Sequence, residues 1–96
     1  MIIEIPVSSG DIVTIKMTTG DEIIARLLEV SETQYIVAKP QALMATENGM
    51  GLGPFAFTVS PETKIPINRA TVVFCVKTDP DTAKTYIGST SSLAAI

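Results

Sequence analysis

The sequence has no histidine and a single cysteine in 96 residues. Both shortages exclude chemistry. A nucleophilic Cys75 would need a general base beside it, and the residue that most often serves is missing. Cys75 lies in the apolar run Val72-Val73-Phe74-Cys75-Val76, where a thiol acts as a small buried hydrophobe. One cysteine forms no internal disulfide, which fits a reducing compartment. Basic runs are also missing. Lys16, Arg26, Lys39, Lys64, Arg69, Lys77 and Lys84 are scattered among ten acids, for a net charge of -3. Non-specific nucleic-acid binding rests on cationic contacts to phosphate, so any such contact here has to be local. No apolar run approaches the roughly 20 residues of a membrane helix. Met1 to Pro6 lacks the basic region and long apolar core of a signal peptide. These absences predict a soluble, cytoplasmic protein with no membrane partner.

Charge is sparse as well, at 18% where soluble domains usually carry about 25%. Apolar residues reach 46%, and 19 serines and threonines supply much of the polar surface. That is too aliphatic for disorder. It fits one domain, 1–96, that keeps a second apolar surface for a partner subunit.

The periodicity is mostly that of strands. After a short apolar arm, Ile2 to Val7, the stretch Asp11 to Met17 alternates, with Val13, Ile15 and Met17 on one face. Thr18-Thr19-Gly20-Asp21 predicts a tight turn. A second strand, Glu22 to about Glu32, is apolar on both faces, as in a strand that is central, strongly bent or covered twice. Ser31 to Gln34 turns the chain into a third strand, Tyr35 to about Leu43, with Pro40 a local defect or bulge. Thr46 to Pro54, with Gly49, Gly51 and Gly53, predicts a flexible loop. It lacks the Gly-Lys-Ser/Thr ending of a phosphate-binding loop. A fourth strand is expected over Phe55 to Val59, continuing through Lys64 to Ile67 after a bulge, and a fifth over Thr71 to Lys77. Thr78 or Asp79 can cap a helix, Pro80 suits its first turn, and Ala83, Tyr86 and Ile87 form one stripe. Gly88 is expected to stop or weaken that helix.

The predicted fold is mainly β: a small, strongly bent, five-stranded antiparallel barrel of SH3-like type with a short C-terminal helix. The barrel core spans 11–78, and 79–96 form the helix and tail. Pairing the fourth strand of one subunit with the fifth of the next would cover the open edges, and repeating that contact closes a ring. The carboxylates offer no site: Asp79 and Asp81 belong to the helix start, and alternation sends Asp21 and Glu22 apart. No calcium-loop spacing occurs. The expectation is no enzyme, no catalytic residue, no cofactor and no metal.

The stretch Val13 to Gln41 resembles the first motif of the Sm-like (LSm) family. Its elements are Val13-Thr14-Ile15-Lys16-Met17, the turn Thr19-Gly20-Asp21, and Glu22-Ile23-Ile24-Ala25-Arg26-Leu27-Leu28, with Ala25 where the family often has glycine. Val72 to Thr78 resembles the second motif, with Lys77-Thr78 in place of Arg-Gly. The missing N-terminal helix and the added C-terminal one make the chain similar to a divergent branch like the Sm-like proteins of bacteriophages, which would place it in a host cytoplasm. The resemblance implies a homo-oligomeric ring of about five to eight subunits that binds single-stranded RNA near its pore. Carried over by position, the RNA-facing residues are Ser31, Glu32, Thr33, Gln34 and Tyr35, joined by Lys77 and Thr78. The motif's base-reading pattern is largely replaced, which implies binding without strong base specificity. An assembly ring that acts on another protein is the alternative.

Overall fold

The computed structural model describes residues 7–56 and 58–94. The strands are β1 (Ile12–Met17), β2 (Glu22–Val30), β3 (Gln34–Thr46), β4 (Gly49–Pro54), β5 (Lys64–Asn68) and β6 (Val72–Lys77), and α1 (Pro80–Ala94) follows. All pair antiparallel in one six-stranded sheet of order β4-β3-β2-β1-β6, with β5 also on β3. A 3-10 turn, Arg69–Thr71, joins β5 to β6. The mainly β class and the C-terminal helix agree with the sequence pattern. The predicted five-stranded barrel does not: among the described residues there are six strands and the sheet is not closed, β6 pairing with β1 alone.

The β1–β2 hairpin follows from its turn and its alternation. Gly20 has φ 97°, and its N–H donates to the Met17 carbonyl at 2.9 Å. That register puts Val13 opposite Ala25 and Ile15 opposite Ile23. These four, with Leu27, Tyr35, Val37 and Ile67, form the main core. Ile24 is also buried, but outside that cluster. Alternation turns it to the opposite face of β2. The two-faced apolarity of β2 therefore marks a strand with partners on both edges and cover on both faces.

α1 meets the sheet at a bulge that begins beside Ile24. Between the pairs Ile24–Gln41 and Arg26–Ala38, two residues of β3, Lys39 and Pro40, stand opposite Ala25 alone. This bulge lies at the predicted defect. Lys39 takes φ 50° there, a left-handed conformation that costs a non-glycine residue about 1–2 kcal/mol. The Tyr86 hydroxyl accepts from the Arg26 N–H at 3.1 Å and donates to the Lys39 carbonyl at 2.8 Å. The Ala38 carbonyl lies farther away, at 3.2 Å. Tyr86 thus supplies the bonds the bulge removes, and it is 1% exposed.

The helix starts as its residues require. Asp79 Oδ2 accepts from the Thr82 N–H at 3.2 Å, and Pro80 opens the first turn. Its buried face differs from the expected stripe. Tyr86 and Thr90 face the sheet, with the Thr90 hydroxyl on the Tyr86 carbonyl at 2.9 Å, while Ile87 is exposed. Gly88 does not end α1, which runs on to Ala94. A Cβ built on Gly88 meets nothing within 4 Å. Gly88→Ala should therefore stabilise the protein by about 0.5–1 kcal/mol, read as a higher thermal midpoint. A lower midpoint would show that the site needs glycine.

Two expectations near the glycines are corrected. The predicted loop Thr46 to Pro54 is largely strand β4, and the described residues of the predicted strand Phe55 to Val59, 55–56 and 58–59, are irregular. Alternation sets Gly49, Gly51 and Gly53 on one face of β4, and glycine's poor strand propensity hid the element. The partner makes the strand: β3 is 13 residues long and pairs with β4 from Gln41 to Thr46. Gly49, at φ 117°, closes the turn. A Cβ at Gly53 would stand 2.7 Å from Met44 Sδ, so the methionine occupies the bare face. β5 takes the other half of the same β3 edge, Gln34 to Ala38, which leaves no length of β3 for the 55–59 segment. Phe57 and the arm Ile2 to Pro6 lie outside the described residues.

Candidate functional site

The turn between β2 and β3 is built around Ser31. Its hydroxyl oxygen accepts from the Gln34 N–H at 3.0 Å and the Thr33 N–H at 3.3 Å, while its own N–H donates to the Gln34 carbonyl at 2.9 Å. Serine at this position ties the chain back on itself, as short polar side chains do in turns. Ser31, Glu32, Thr33 and Gln34 are left exposed.

The 3-10 turn then brings in Arg69. Asn68 pairs with Gln34, and the Arg69 N–H donates to the Thr33 carbonyl at 2.9 Å. Asn68 Oδ1 caps the turn through the Ala70 N–H at 2.9 Å. The guanidinium is fixed twice. Nη1 donates to the Ser31 carbonyl at 2.7 Å, and Cζ lies 4.9 Å from the centroid of the Tyr35 ring, within cation–π range. Tyr35 itself is 9% exposed and belongs to the core. The group that an incoming ring would meet is therefore the guanidinium lying on it. Arg69 is exposed and carries five N–H donors on a planar face that can stack.

The predicted residues fall into two places. Ser31, Thr33, Gln34 and Tyr35 come together around Arg69. Lys77 pairs with Val13, the Thr78 N–H donates to the Ile12 carbonyl at 3.0 Å, and its hydroxyl meets that of Thr14 at 2.8 Å. No hydrogen bond or ring contact among the described residues joins Lys77 or Thr78 to the turn. In the sequence Arg69 stands out only as one of seven scattered basic residues. The signal for it was a lone arginine between a capping asparagine and an apolar strand.

Arg69 also acts on Cys75. Burial pushes the Cys75 thiol up to about 11, against an opposing pull from the Arg69 charge. The thiol is protonated at neutral pH and is no nucleophile there.

The other notable surface is β6. Val73, Phe74 and Val76 are 62%, 43% and 48% exposed on a strand with one edge unpaired among the described residues. Apolar edge strands of this kind are templates for pairing with another chain. No helix among the described residues is long and apolar enough to cross a membrane. No protein-family model matches this sequence, and no curated protein does either.

Proposed function

We propose that the chain is a ring-forming protein of Sm-like type that holds single-stranded RNA on the surface made by the Ser31–Gln34 turn and Arg69. The observation that carries the ring is the pair of open edges. β6 exposes three large apolar side chains beside an edge that no strand among the described residues pairs with, and β5 has a second edge that β3 does not use. Adding β6 of one subunit to β5 of the next continues both sheets. The contact is head-to-tail, so repetition closes into a ring of about five to eight subunits. One Arg69 per subunit then gives a circle of fixed guanidinium groups. Each can stack on a base and reach a phosphate without reading base identity.

Filter binding of uridine-rich and adenosine-rich RNA at low and moderate salt tests the RNA half. Both should bind, more weakly as salt rises. Arg69→Gln should weaken both by about five- to a hundredfold, the range expected for one stacked base. An unchanged affinity in Arg69→Gln would remove the site. The net charge of -3 and Glu32 in the turn favour a second reading, a ring that assembles on another protein. A ring with no RNA affinity even at low salt would select it.

A further inference from the structure

The β3 edge is shared between two strands, and the handover leaves a gap. β4 pairs as far as Gln41, and β5 begins at Ala38. Lys39 and Pro40 between them have no strand partner on that edge. The Phe55 N–H reaches only the Pro40 carbonyl, at 3.3 Å, before the chain turns away. A cavity of about 200 Å³ opens at this fork. It lies at the opposite end of β5 from Arg69 and does not depend on the ring.

We propose that this cavity binds a small carboxylic acid whose body is a single apolar ring. Size fixes the body. An apolar cavity of about 150 Å³ holds benzene, so this one has room for a ring and a carboxylate. Pro54, Val59 and Ile65 supply apolar walls.

The polar lining fixes the charge. Lys39, Gln41, Ser60 and Thr63 line the cavity, and among the described residues no carboxylate does, in a chain where acids outnumber bases ten to seven. Lys39 forms no ion pair among the described residues. Gln41 is 5% exposed, yet among the described residues its amide makes one long bond, 3.4 Å to the carbonyl of its own neighbour Pro40. Buried amides are normally better satisfied than that. The Thr63 hydroxyl donates no hydrogen bond among the described residues, and the Ser60 hydroxyl oxygen only accepts, from the Glu62 N–H at 3.3 Å. The spare groups are thus an ammonium, an amide and hydroxyls, all able to donate. A carboxylate accepts only. The left-handed backbone of Lys39 is the strained residue of this edge, and strain of that kind concentrates at binding sites.

Titration of the ¹⁵N-labelled protein with benzoate tests this. Saturable shifts are expected at the Gln41 side-chain amide and at the backbone amides of Lys39, Thr63 and Ile65. Benzamide, of the same shape without the charge, should bind about tenfold more weakly, the equivalent of about 1.4 kcal/mol. Lys39→Asn keeps a residue that tolerates the left-handed backbone and removes the ammonium, so it should cost benzoate a similar factor. Absence of saturable shifts, equal binding of benzamide, or undiminished binding by Lys39→Asn would each overturn the proposal.

Discussion

Val73→Lys combined with Val76→Lys should reduce the proposed ring to single chains of 10.2 kDa, measured by native mass spectrometry or light scattering. Both side chains stand exposed on β6, 62% and 48%, so neither lysine is forced into the core. Far-UV circular dichroism should therefore keep its strand signature. A second chain cannot pair with this edge without setting charge against apolar surface, which is how natural sheets protect their edges. The loss is expected to be complete because a ring closes only when every interface holds. The wild-type chain supplies the stronger test: a well-folded single copy at high concentration would end the ring reading. An unchanged particle mass in the double variant would move the interface away from β6.

Tyr86 carries the largest expected effect on stability. Tyr86→Phe keeps the ring and removes the hydroxyl, stranding the Arg26 N–H and the Lys39 carbonyl at a partly buried bulge. The expected cost is about 1–3 kcal/mol. Tyr86→Ala also empties the volume of the largest fully buried side chain, and should cost about 3–5 kcal/mol. Against a total of about 5–15 kcal/mol, the alanine variant approaches unfolding. Denaturant midpoints measure both, and equal midpoints for Tyr86→Phe and wild type would show that the bulge does not need the hydroxyl.

The same residue sets a dependence on pH. Burial pushes the Tyr86 phenol from 10.0 up to about 12, against smaller opposing effects of the Arg26 N–H and the Arg26 charge. A folded value raised above the unfolded one means that the folded state holds the proton more tightly. The stabilisation is thus full below pH 10.0 and is lost as the pH rises towards 12. Cys75 contributes in the same sense between 9.0 and about 11. Stability should fall across this alkaline range, and Tyr86→Phe should flatten its upper part.

Much of the fold is legible in the sequence. Val13, Ile15, Ile23, Ala25 and Leu27 alternate around a glycine turn, and local sterics alone turn them to one face. The capping Asp79 and the Pro80 that opens α1 are equally local. At the site, the Ser31 turn could be read because its hydroxyl bonds to neighbours two and three residues away. Arg69 could not, since its carbonyl partner lies 38 residues earlier in the chain.

The sequence by itself determined the strand-rich class, the first hairpin and its inward residues, the start of the helix, and the exclusion of a histidine-based nucleophile. These depend on side-chain type and on spacings of a few residues. Only the tertiary structure decided that glycine-rich Gly49–Pro54 is a strand, that 55–56 and 58–59 are not, that the sheet of the described residues remains open, and that Tyr86 plugs the bulge at Lys39. In each of these the outcome is set by which backbone groups another part of the chain has already taken, and competition for one strand edge leaves no trace in local pattern.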